Sequence, residues 1–232
     1  MAQTKMAQIH NSSNVTAVLF DLDGTLLDTA PDMTNALNML LKEEGKEPLS
    51  YEYCRDYVSH GSIAMVTLGF GQPNTDQQSA DAFENRRLRF LALYEQNLCV
   101  DTKLFDGMDK TLLFLEDQKI HWGIVTNKPA FLTLPLLEQM QLHTRACSII
   151  SGDTIPQRKP DPAPLYLAAN ECGCLVTECI YVGDAERDIV AGNRANMTTL
   201  LASYGYIDGD QTPIEWGANG VVETPTEILD WL

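Results

Sequence analysis

Residues 18–25 read Val-Leu-Phe-Asp-Leu-Asp-Gly-Thr, an apolar run that ends on two carboxylates separated by one leucine. Such a run, closed by Asp, Gly and Thr, reads as a buried strand entering a loop. Side chains two apart on an extended backbone share a face, so Asp21 and Asp23 come out together while Leu22 turns away. Adjacent carboxylates at a buried strand end repel each other, and a cation with a division of labour between them accounts for the pairing. The plainer alternative is a turn, for which Asp and Gly are common residues.

Working outward, apolar runs recur from Val15 to Phe20, Trp122 to Val125, Cys147 to Ile150, Cys179 to Val182 and Thr198 to Ala202. Polar or glycine-containing punctuation follows each, and then, in most cases, a helical pattern. Strands alternating with helices predict a Rossmann-like α/β fold, a doubly wound parallel sheet covered on both faces, with ligands at the carboxyl ends of the strands. About a hundred residues separate the first two strands, far more than a crossover helix needs. Their pattern is helical: Met33, Leu37, Leu40 and Leu41 form one stripe, Phe83, Phe90, Leu91, Tyr94 and Leu98 another, with the apolar piece Ile63 to Phe70 between them. The expected organisation is a tail over 1–14, an α/β core over 15–27 and 101–232, and an all-helical cap over 28–100.

The chain of 232 residues carries 16 basic and 32 acidic residues, a formal charge of −16. That balance opposes nucleic acid or an anionic membrane as a partner, since both are repelled. An anionic substrate would need local neutralisation by a metal ion and a few placed cations. The first 14 residues lack the apolar core of a signal peptide, and no stretch reaches transmembrane length. The expectation is a cytoplasmic protein whose six cysteines, Cys54, Cys99, Cys147, Cys172, Cys174 and Cys179, are free thiols.

Polar residues at later strand ends extend the pattern. Thr126 follows the strand Trp122 to Val125, where its hydroxyl and the backbone N–H groups after it can meet an anion; a simple turn before a helix also fits. Asn127 and Lys128 come next; either can face a substrate, and a solvated Lys before Pro129 is the plainer reading. Lys159 precedes Asp161-Pro162, an N-cap pattern with Pro in the first helical position, so it projects from a loop as a point charge. Asp184 and Asp188 lie four apart after the strand Cys179 to Val182. Like charges at that spacing on a helix want a cation, although Asp184 alone reads as an N-cap. Hard oxygen donors select magnesium over zinc.

These segments, Phe20-Asp-Leu-Asp-Gly-Thr25, Ile124-Val-Thr-Asn-Lys128, Arg158-Lys-Pro-Asp-Pro162 and Gly183-Asp-Ala-Glu-Arg-Asp188, together resemble the four motifs of the haloacid dehalogenase superfamily. The resemblance implies a phosphatase that acts on a small phosphorylated metabolite. Asp21 is then the nucleophile, Asp23 the acid and base and a metal ligand through its backbone carbonyl, and Thr126 and Lys159 phosphate-site residues. Magnesium is implied between Asp21, Asp23 and Asp184, with Asp188 bound through water or orienting the others. The cap candidates for substrate contact are His60, Gly61 and Arg87, beside Asn127 in the core. Arg87 falls on an apolar stripe, where a cation snorkels to solvent or faces the cleft. Within the superfamily the chain resembles phosphoglycolate phosphatases and, more narrowly, N-acetylmuramic acid 6-phosphate phosphatases, the second suggested by Lys103 to Met108, Trp122 to Pro129, Tyr204 to Ile207 and Trp216 to Ala218. A β-phosphoglucomutase uses the same constellation, and a non-catalytic binding or regulatory protein could keep the scaffold, since fold does not fix function.

Overall fold

The structure, a computed structural model, describes residues 15–207, 209 and 212–232; the expected tail lies outside them. In chain order the elements are β1 (Ala17–Phe20), β2 (Leu27–Asp28), α1 (Ala30–Glu43), α2 (Tyr51–Arg55), α3 (Gly61–Phe70), α4 (Gln77–Gln96), β3 (Lys103–Leu104), α5 (Met108–Asp117) and β4 (His121–Val125). There follow α6 (Ala130–Gln139), β5 (Ile149–Ile150), α7 (Ala163–Glu171), β6 (Cys179–Gly183), α8 (Glu186–Arg194), β7 (Thr198–Ala202) and β8 (Gly220–Val222). No described helix is long and apolar enough to cross a membrane.

Six strands form one parallel sheet in the order β5-β4-β1-β6-β7-β8. β1 is central and buried on both faces, which is why it reads as an unbroken apolar run. Alternation assigns its side chains. Val18 and Phe20 join the cluster built with Met108, Leu112 and Leu136, while Ala17 and Leu19 join Leu165, Ala168 and Ala191 on the opposite face. Register then sets the site: Phe20 lies beside Ile124 of β4 and Val182 of β6. The residues just after these strands, Asp21, Thr126 and Asp184, therefore emerge at one edge, where the chain leaves β1 toward strands on either side.

The chain leaves and re-enters the core as a short ribbon, with Leu27 opposite Leu104 and Asp28 opposite Lys103. Between these strands α1 to α4 pack around their own apolar cluster, which includes Met33, Leu37, Leu41, Met65, Phe90 and Tyr94. Asp32, in the first turn of α1 and 1% exposed, ties the root of this insert. Its carboxylate accepts from the backbone N–H groups of Val100, Asp101 and Thr102 at 2.9–3.0 Å and from the Thr102 hydroxyl at 2.6 Å.

Three expectations are corrected. Cys147 and Cys172 form a disulfide, with Cα atoms 5.2 Å apart, because the approach to β5 and the end of α7 lie side by side; Cys54, Cys99, Cys174 and Cys179 are free. The strand expected over Cys147 to Ile150 is paired only at Ile149–Ile150. The extended stretch through Asp23 is instead a turn. Beyond Asp21 the backbone folds so that the Leu22 carbonyl accepts from the N–H groups of Leu26 and Leu27 at 3.1 and 2.9 Å.

Candidate active site

Asp21 is 2% exposed at the end of β1, and its Oδ1 accepts from the Leu22 N–H at 2.7 Å. Burial alone would raise its pKa, but Lys159 and then Arg187 outweigh that and hold it below the usual carboxylate value. Lys159 Nζ is fully buried, 2.9 Å from Asp21 Oδ1 and 2.7 Å from Asp188 Oδ1. It also donates to the Val125 carbonyl at 2.8 Å and the Tyr181 hydroxyl at 2.9 Å. An ammonium has only three hydrogens to share among these four acceptors. Lys159 therefore holds the Asp21 carboxylate from behind, and it is not among the residues lining the cavity.

Asn127 explains how Lys159 is presented. Its side-chain amide donates to the Lys159 carbonyl at 3.0 Å and accepts from the Lys159 N–H at 3.1 Å, clamping that peptide to the loop after β4. Thr126 is buried, and its Oγ1 accepts from the Lys128 N–H at 3.2 Å.

Asp184 and Asp188 are both 0% exposed. α8 starts at Glu186 with Ala185 as its N-cap, so Asp184 precedes the helix and is not its cap, and the two carboxylates do not share a helical face. Asp188, in the first turn, accepts instead from the Ala185 N–H at 3.1 Å. Asp184 accepts from the Thr25 hydroxyl at 3.1 Å, the Ser59 hydroxyl at 2.7 Å and the Tyr206 N–H at 2.9 Å. Close packing accompanies these bonds. Gly24, at φ +86°, and Gly205 both lie where a side-chain carbon would strike Asp184. The late Tyr204-Gly-Tyr206 segment thus braces the first loop, with Tyr204 donating to the Thr25 carbonyl at 3.0 Å and Tyr206 to Asp28 at 2.7 Å.

One oxygen each of Asp21, Asp184 and Asp188 can be chosen so that all three lie within 4.8 Å of one another. Burial, then the charges of Asp21 and Asp188, push the Asp184 pKa up to about 7. Asp188 is raised by burial and by Asp21, against the pull of Lys159 and Arg187. Three buried carboxylates faced by two cations are short of positive charge, and their hard oxygens suit a small divalent ion. The donor set fits a metal.

The cavity above Asp21 encloses about 770 Å³. Asp23, Thr126 and Asn127 line it from the core, and His60, Gly61 and Arg87 from the insert, so every sequence-derived substrate candidate except Lys159 borders this space. Arg87 is engaged with Glu84 at 2.7 Å and reaches Ser62 at 3.4 Å, taking both a surface partner and a place on the cavity wall.

Two cations do more here than the sequence assigned them. Arg187 sits 4.0 Å from Asp21 Oδ2 and donates to the Ser59 carbonyl of the insert at 2.8 Å. Lys128, for which a solvated position was the plainer of two readings, is 8% exposed and bonds Asp23 Oδ1 and the Tyr94 hydroxyl, each at 2.8 Å. Its pKa is raised: burial opposes the charge, but Asp23 and then Tyr94 more than compensate. Only its position beside Thr126 hinted at such a role.

A family model described as haloacid dehalogenase-like hydrolase matches residues 18–202. The chain is 43% identical over 214 residues to a phosphoglycolate phosphatase of Xanthomonas campestris, covering 92% of this chain and 95% of that one. It is 40% identical over 212 residues to an N-acetylmuramic acid 6-phosphate phosphatase of Pseudomonas putida, with 91% and 93% covered. The crystal structure of a predicted phosphoglycolate phosphatase from Haemophilus somnus superposes with a TM-score of 0.81 at 23% identity over 95% of this chain and 99% of that chain, a likeness of fold. With a matched segment that spans β1 to β7 and holds all four strand-end motifs, the chain belongs to the haloacid dehalogenase-like hydrolases.

Proposed function

We propose that the protein is a magnesium-dependent phosphomonoesterase that works through an aspartyl-phosphate on Asp21. The observation that carries this reading is Asp21 itself, a buried carboxylate kept ionised by Lys159 at the floor of a cavity large enough for a metabolite. The Asp21 carboxylate attacks phosphorus in line with the ester oxygen. As the new O–P bond forms the ester O–P bond breaks, and its electron pair leaves on the alcohol oxygen, which takes a proton from Asp23. In the second half-reaction Asp23 accepts a proton from the water that opens the aspartyl-phosphate. Thr126 and Arg187, both on the cavity wall, meet the phosphoryl oxygens. A magnesium ion held by Asp21, Asp184 and Asp188, with the Asp23 backbone carbonyl, would supply charge neutralisation and orientation for in-line transfer.

The relatives named above support two alcohols, and the cavity favours the larger. A two-carbon acid leaves most of 770 Å³ unfilled, whereas a substituted sugar phosphate occupies it against Leu88, Leu91 and Phe131. N-acetylmuramic acid 6-phosphate is the substrate we favour, and 2-phosphoglycolate is the second reading. The test is phosphate release over a panel of monoesters with magnesium, with EDTA, and with Asp21→Asn. Both EDTA and the substitution should lower turnover by about 10³-fold or more. Release indifferent to both would overturn the mechanism; turnover of phosphoglycolate above muramic acid 6-phosphate would reverse the substrate assignment.

A further inference from the structure

The two oxygens of Asp23 are treated differently. Oδ1 accepts from the Thr29 hydroxyl at 2.6 Å and from Lys128 Nζ at 2.8 Å, while Oδ2 accepts nothing among the described residues. The carboxylate is partly exposed, its side chain 16% accessible, and it borders the cavity. Lys128 is far more enclosed, its side chain 5% exposed. A second anchor comes from the helical insert. The hydroxyl of Tyr94, near the end of α4 and 1% exposed, accepts from the same ammonium, which also lies 4.5 Å from the Tyr94 ring centre.

We propose that Lys128 is a positioning residue for the proton transfer: set between α4 and the core, it holds one oxygen of Asp23 so that the other is presented to the leaving alcohol. The inference rests on the reading of Asp21 and Asp23 given above. A carboxylate fixed at one oxygen by two donors keeps little rotational freedom about its last bond, which is what a proton donor to a single ester oxygen requires. The ammonium is itself fixed only while Tyr94 is in place, so the geometry of Asp23 depends on how the insert sits.

A merely structural ion pair between insert and core would, when broken, depress turnover of every ester alike. A positioning role differs, because an aryl ester with a stable phenolate leaving group needs little protonation and an alkyl ester needs much. The experiment measures kcat/KM, which reports the steps up to aspartyl-phosphate formation, for alkyl phosphates and for 4-nitrophenyl phosphate. Lys128→Met should lose on alkyl esters about thirtyfold more than on the aryl ester, in the pattern of Asp23→Asn. Tyr94→Phe, which keeps the ring and removes the acceptor, should show the same preference at about fivefold and serves if the Lys128 variant does not fold. Asp21→Asn, run alongside, should be inactive on all esters. Activity retained there overturns the reading beneath the inference, whereas equal losses on both ester types, with Asp21→Asn inactive, overturn the inference alone.

Discussion

At the scale of the residue, the floor of the site depends on one buried ammonium with more acceptors than hydrogens. Lys159 stands between Asp21 and Asp188, and removing its charge leaves two buried carboxylates 0–3% exposed at the side chain with no cation of comparable closeness. Lys159→Met should therefore cost about 3–5 kcal/mol of stability, because breaking a buried pair strands its partner. Urea unfolding measures this, and magnesium should restore part of the loss; a midpoint unmoved by the substitution would show that the charge is unimportant. Asp21 was legible in the sequence because a strand that stops on a carboxylate leaves a mark, four apolar residues and then Asp. Lys128 was not, since what buries it is Tyr94, 34 residues earlier and on another element. Arg187 stayed hidden for the same reason: the backbone it grips at Ser59 lies 128 positions away.

Elements carry the alignment that residues exploit. β1, β4 and β6 were readable as continuous apolar runs because a central parallel strand is buried on both sides, and their shared register was the one arrangement that puts three polar strand ends together. β5 was less so. Its two paired residues sit at an edge of the sheet, where a run of apolar side chains can pack without pairing, and this is why four expected strand residues became two. The return from α4 to β3 shows what periodicity cannot reach. There Asp32 gathers three backbone N–H groups and a hydroxyl over Val100 to Thr102, and an aspartate inside a helical pattern gives no sign of them. Asp32→Ala leaves those donors without acceptors and should destabilise the protein by about 2–3 kcal/mol. Hydrogen exchange should quicken first at Val100, Asp101 and Thr102; uniform exchange across α1 and α4 would count against a local clasp.

Across the whole molecule, a chain of formal net charge −16 holds a cavity lined by Lys128, Arg158, Arg187 and Arg87 beside Asp21, Asp23 and Glu95. The distant field repels a phosphate ester and the near field attracts it, and salt screens the first more than the second. At saturating magnesium, kcat/KM should rise about two- to threefold as KCl goes from about 10 to about 150 mM, over which the screening length shrinks from about 30 to about 8 Å. A steady fall would mean that the local cations dominate even at long range. The Cys147–Cys172 bond has a consequence of a different kind. It turns residues 147–172 into a closed ring, and Lys159 is mounted on that ring rather than on an open loop. One backbone cut anywhere from Ser148 to Glu171 leaves a single covalent molecule, with both halves of the severed loop still tethered to the sheet behind Asp21, and only reduction lets them part.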